Sequence, residues 1–139
     1  MKQLNAKQIR IGNYIMSGNN GKFYEDGSIG KVLEIGNEER KFEQIYCECE
    51  ESFDWFFKDN YFPIPLTKEW LIKFGFKINR VTKKENNVWR KEWTEGYFEL
   101  EEIISFFFGH PVYSTEIKTV DHLQNLFFFV TNEELSEAV

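Results

Sequence analysis

Cysteine, proline and histidine are scarce in this chain: 2 Cys, 3 Pro and 2 His in 139 residues. Two cysteines are too few for a disulfide scaffold. Cys47 and Cys49 stand two apart in the strand-like run Ile45-Tyr46-Cys47-Glu48-Cys49. Same-side positions of one strand lie roughly 6–7 Å apart, at or past the reach of a disulfide. They read as free thiols of a cytoplasmic protein. A zinc half-site would need two more ligands, and His110 and His122 lack a paired spacing, so neither a metal nor a cofactor is expected. No apolar run approaches the roughly 20 residues of a membrane-spanning helix. The start Met1-Lys2-Gln3-Leu4-Asn5-Ala6-Lys7 lacks the apolar segment of a signal peptide. Positive charge is also short, with 17 Lys plus Arg against 23 Asp plus Glu and a net charge of −6. That argues against a nucleic-acid protein working by overall charge.

What the chain has is apolar and, above all, aromatic residues. Hydrophobic residues make up 42% and charged residues 29%, the composition of a folding domain. Aromatics reach 18%, from 15 Phe, 6 Tyr and 4 Trp. The length suits one domain.

The first half reads as short strands with turn punctuation. Ile9–Ser17 alternates loosely, Gly18–Gly21 is a loop by composition, and Asp26-Gly27 suits a tight hairpin turn. Ile29–Ile35 alternates, Gly36-Asn37 turns, and Lys41–Glu50 carries the cleanest period of two. Strands this short and close suggest a small SH3-like barrel or meander. Pro63 and Pro65 then force extended backbone.

A helix follows, over Leu66–Gly75. Thr67 is a natural N-cap, Leu66 and Leu71 take the positions of a hydrophobic staple, and Gly75 is placed to end it. Glu69 and Lys73 complement the dipole, with Trp70, Leu71 and Phe74 as the inward set. Phe76–Val81, Val88–Thr94 and Tyr97–Ile104 predict an antiparallel meander turning at Asn86-Asn87 and Glu95-Gly96. Phe106–Phe108 suits a strand end or a loop, Gly109-His110-Pro111 breaks the chain, and Val112–Ile117 is a further strand. A last helix is predicted over Val120–Val130, capped by Thr119 and stopped at Asn132. Its inward stripe is Val120, Leu123, Leu126, Phe127 and Val130, and the tail to Val139 is expected to be solvated and frayed.

Three segments carry a resemblance: Arg10-Ile11-Gly12-Asn13-Tyr14, Pro63-Ile64-Pro65-Leu66-Thr67-Lys68-Glu69-Trp70-Leu71, and Val120-Asp121-His122-Leu123-Gln124-Asn125-Leu126. In them the chain resembles small uncharacterised proteins carried by phages and prophages of Bacteroidota. The chain departs from that group at Asn132, where glycine is usual, and at Asp121, where histidine is frequent. The resemblance implies a phage-encoded accessory protein in the bacterial cytoplasm. It implies no activity, and no catalytic residue carries over.

Nothing in the residues adds a catalytic motif. The glycines match no phosphate loop, no G-x-S-x-G occurs, and neither histidine has a supporting partner. Glu92, Glu99 and Glu101 fall on adjacent predicted strands beside Lys91, but their spacing marks no metal-dependent nuclease. The chain is read as a non-enzyme.

Charge layout says more. Glu34 to Asp59 holds nine acids against three bases, a net of −6, equal to the whole chain. That stretch contains Phe53-Asp54-Trp55-Phe56-Phe57. The rings are either core, with the acids as a solvated rim, or a protein-binding patch made of Glu48, Glu50, Glu51, Asp54, Trp55, Phe56 and Phe57. Such a patch would steer a basic partner, for example a nucleic-acid-processing defence complex of the host. The opposite sign gathers in Lys77, Arg80, Lys83, Lys84, Arg90 and Lys91, with Glu85 the one acid among them. With Trp89 they make a candidate single-strand nucleic-acid grip. The plainer reading is an edge hairpin protected by its lysines and neutralised by Glu92 to Glu102.

The expected fold is α+β: an N-terminal antiparallel β-barrel or meander, a short helix, an antiparallel sheet and a C-terminal helix. Residues 1–139 are read as a single domain that would divide into lobes 1–62 and 63–139. The leading functional expectation is a phage-type accessory protein that binds a host protein and inhibits an anti-phage defence nuclease in the manner of an anti-CRISPR. The alternatives are the nucleic-acid module and a virion or assembly component.

Overall fold

A computed structural model describes residues 10–19, 22–23, 29–35, 44–48, 53–57, 61–110 and 113–137. The chain is α+β and divides into two compact units, Met1–Ile64 and Pro65–Val139.

The first unit is a six-stranded antiparallel sheet. Its strands are β1 (Tyr14–Asn19), β2 (Lys22–Phe23), β3 (Ile29–Ile35), β4 (Gln44–Glu48), β5 (Phe53–Phe57) and β6 (Tyr61–Phe62). The order is β2-β1-β3-β4-β5, and β6 pairs with β1. The turn before β1 is written in its residues. Gly12 takes a φ of 96°, a conformation costly for any residue with a Cβ. Asn13 N–H donates to the Arg10 carbonyl at 3.0 Å, and the Asn13 Oδ1 accepts from Arg10 N–H at 2.6 Å. Gly12 N–H and the Asn13 carbonyl then bond Val32 from both sides, each at 2.8 Å. The turn is thereby fastened to β3, which explains why a polar Asn13 is fully buried. Among the described residues, Tyr14, Ile15, Met16, Val32, Phe62 and Ile64 are buried apolar residues of this unit.

The second unit starts with α1 (Lys68–Lys73). Thr67 Oγ1 accepts from Trp70 N–H at 3.4 Å. At the other end Gly75 has a φ of 87°; Phe76 N–H donates to the Leu71 carbonyl and Gly75 N–H to that of Ile72. This is a Schellman motif, and it satisfies carbonyls that the helix end leaves open. A five-stranded antiparallel meander follows: β7 (Lys77–Val81), β8 (Asn87–Trp93), β9 (Gly96–Glu102), β10 (Phe106–His110) and β11 (Tyr113–Ile117), ordered β11-β10-β9-β8-β7. The chain closes with α2 (Val120–Thr131), capped by Thr119 and ended by Asn132 at a φ of 57°.

Strand alternation sorts this sheet. Trp89, Phe98, Leu100 and Phe106 are buried on the helix-bearing face. There Phe98 stacks on Phe108 at 4.5 Å and meets Phe127 of α2 at 5.2 Å and Phe76 at 6.1 Å. Leu66 N–H donates to the Lys118 carbonyl, tying the approach to α1 to the approach to α2.

Several local expectations are corrected. The β7–β8 turn lies at Thr82–Asn86 rather than at Asn86-Asn87: Thr82 N–H donates to the Asn86 carbonyl, and Glu85 takes a φ of 64°. Phe106–Phe108 and Gly109-His110 continue as β10 instead of breaking. On α2 the inward stripe includes Gln124 and Thr131, while Val130 is 43% exposed. The tail is anchored as well. Leu135 is 1% exposed, and its carbonyl accepts from Gln124 Nε2 at 3.0 Å. A polar side chain thus takes an inward position on α2 because it holds the returning chain.

Candidate functional site

Two regions carry the candidate residues, one in each unit. In the first, β4 and β5 pair antiparallel with Cys47 opposite Asp54, Tyr46 opposite Trp55, Ile45 opposite Phe56 and Gln44 opposite Phe57. Glu48 stands opposite Phe53 at the end of that ladder. The sequence Phe53–Phe57 shows no period of two, yet it is a strand with continuous register. It lies at the end of the sheet path, and among the described residues no strand pairs with its far side. Glu48, Asp54, Trp55, Phe56 and Phe57 are therefore brought together on one strand pair. Glu50, Glu51 and Cys49 lie outside the described residues.

In the second unit the basic hairpin is β7 and β8. Lys77, Arg80, Lys83 and Lys84 are exposed. Trp89 is not: the ring is 4% exposed, and its indole Nε1 donates to Glu102 Oε1 at 3.0 Å. Glu102 also accepts from Asn87 Nδ2 at 3.4 Å and lies 3.5 Å from Lys68 Nζ. Arg90 donates from Nε to Glu99 Oε2 at 3.1 Å and lies over the Tyr97 ring at 3.9 Å. Arg80 reaches the same Glu99 at 3.7 Å. Lys91 donates to the Phe74 carbonyl at 2.7 Å, at the C-terminal end of α1. Burial lowers the Lys91 pKa below the ordinary lysine value, and the charge of Glu133 partly offsets this.

The hairpin thus spends Trp89, Arg90 and Lys91 inside the unit. Outside it offers Lys77, Arg80, Lys83 and Lys84, with Trp93 at the far end of β8 half-buried. A stacking grip needs a free ring face beside the cations, and Trp89 does not provide one.

Two residues outside the sequence-based sets emerge. Tyr97, exposed, stacks with Arg90; that proximity follows from the β8–β9 register, with Arg90 opposite Glu99 and Glu92 opposite Tyr97. Asp121 is 6% exposed, and its Oδ1 has no hydrogen-bond partner. Burial raises its pKa above the ordinary carboxylate value, opposed by hydrogen bonds from Thr119 and from backbone amides. It stands second in α2, in the first turn after the Thr119 cap.

Among the described residues no group of three His, Cys, Asp or Glu is gathered as a metal ion would require, and no helix is long and apolar enough to cross a membrane. No protein-family model matches the chain, and no curated protein or solved structure matches it.

Proposed function

We propose that this chain is a non-enzymatic accessory protein of the phage type, acting in the cytoplasm of the bacterial host, and that it binds a host protein through the strands β4 and β5. The observation that carries the reading is the position of β5. Asp54, Trp55, Phe56 and Phe57 lie on the terminal strand of their sheet path, within the segment whose net charge equals that of the whole chain. An open strand edge is a template for an incoming chain. Aromatics there supply contact area, and carboxylates nearby steer a basic partner. A nuclease of anti-phage defence has such a basic groove for nucleic acid, and occupying it with carboxylates in place of phosphates would inhibit it in the manner of an anti-CRISPR.

The strand order supports a finer description of the first unit. A meander β1-β3-β4-β5 whose last strand, β6, returns beside β1 has the connectivity of an SH3-like barrel, a small scaffold compatible with a binding role.

The test reverses Glu48, Glu50, Glu51 and Asp54 to lysine together. Immobilised wild-type chain is expected to retain a protein from a Bacteroidota lysate, with or without nuclease treatment, and the variant to lose it while keeping its circular dichroism. Equal retention by the folded variant contradicts the reading. Retention that disappears on nuclease treatment reassigns the chain to nucleic acid.

A further inference from the structure

We propose that β7 is a second, independent docking edge, which accepts an extended segment of alternating acidic and apolar residues from a partner protein. The strand is the end of its sheet, and all five of its residues, Lys77 to Val81, are exposed. Among the described residues no strand pairs with its far side.

The chemistry of the occupant is read from the two faces. Lys77 stands opposite Arg90 and Arg80 opposite Val88, and these positions continue across β8 to Glu99 and Glu101 on the face opposite the helices, where Val88 is buried and Arg90, Glu99 and Glu101 are half-buried. Ile78 stands opposite Trp89 and Val81 opposite Asn87, on the face that carries the helices. A bulge falls between Ile78 and Arg80, so Asn79 is the extra residue and the four others keep strict alternation. An added strand would therefore meet cations on one face and aliphatic side chains on the other.

The cations on this edge are under-compensated. Lys77 faces another cation directly across the ladder, an arrangement that costs energy. Glu99 is shared by Arg90 and Arg80, and among the described residues Lys77, Lys83 and Lys84 have no acidic partner. Like charge on an edge keeps two copies of that edge from pairing. The same charge selects for an acidic strand, because repulsion of the wrong partner and attraction of the right one come from the same groups. Ile78 and Val81 would be covered by the apolar half of that strand, as in other β-augmentation complexes where main-chain bonds give affinity and alternate side chains give specificity.

The experiment titrates the full chain into a fluorescein-labelled short peptide of alternating glutamate and valine, read by anisotropy. Binding is expected, and Lys77→Glu with Arg80→Glu should weaken it by about tenfold, the loss of two exposed ion pairs. The same peptide N-methylated at every residue, which removes the amide donors of both its edges, should not bind. Equal binding of the methylated peptide would show charge adsorption rather than strand addition and overturns the proposal. Absence of binding by the wild-type chain overturns it as well. So does displacement of the peptide by rising protein concentration, which would make a second copy the occupant. Because the edge belongs to the second unit, none of these outcomes bears on the β4–β5 strands.

Discussion

Glu102 shows how one carboxylate fixes several neighbours. It accepts from the Trp89 indole and the Asn87 amide and pairs with Lys68. Glu102→Ala leaves the buried Trp89 N–H without an acceptor, and an unmet buried donor costs about 1–3 kcal/mol. A urea-denaturation midpoint lowered by that amount is expected; an unchanged midpoint would mean that water replaces the carboxylate freely. Asp121 acts in the opposite sense. Its folded pKa is raised, so the proton is held more tightly in the folded chain than in the unfolded one. Below the unfolded value, near 3.9, both states are protonated and the residue costs nothing. As pH rises through the folded pKa the carboxylate ionises in its buried site, and stability is lost. Denaturation midpoints should therefore fall with rising pH in this window, and Asp121→Asn should flatten that part of the profile and stabilise the chain at neutral pH.

At the scale of elements, the two helices were legible because their ends are local. Thr67 and Gly75 bracket α1, and Thr119 and Asn132 bracket α2, each by side-chain or backbone geometry within a few residues. Gly75→Ala should cost about 1–2 kcal/mol, the price of a Cβ in the left-handed region, read again as a shift in midpoint. The inward face of α2 was legible at Val120, Leu123 and Phe127, which are buried, but not toward its C-terminal end. Val130 has the spacing and apolarity of a core residue, yet it is 43% exposed. Gln124 and Thr131 are inside instead, because one bonds the Leu135 carbonyl and the other the Phe127 carbonyl. A tail that returns to the core is a long-range event with no periodic signal. Leu135→Ala should cost about 2–5 kcal/mol, as for other buried leucines, which a frayed tail would not show.

At the scale of the molecule, the division at Ile64 and Pro65 gives each unit its own buried residues. Residues 65–139 contain both helices, five strands and the aromatic cluster around Phe98. They should fold when produced alone, with a cooperative thermal transition and near-ultraviolet dichroism from Trp70 and Trp89. A non-cooperative fragment would show that the first unit is needed for the second. The candidate site was partly legible at this scale. The sequence placed the acids and rings in one segment, but Phe53–Phe57 has no alternation, and only its pairing with β4 makes it a strand at the end of a sheet.

Local sequence settles the helix ends, the α+β class and the segregation of charge, whereas Ile9–Ser17, expected as one strand, holds a turn at Gly12 and Asn13 before β1. Those three depend on backbone conformation or composition within a short stretch, where side-chain chemistry acts directly on its neighbours. Tertiary structure alone decided which aromatics of the sheets are core, that Gln124 and Thr131 join the inward face of α2, and which strands are edges. Trp89 is buried and Tyr97 exposed, although both stand on strands of alternating residues, because burial depends on what packs over a face. Edges depend on the order in which strands pair, and that order is set by contacts between residues far apart in the chain.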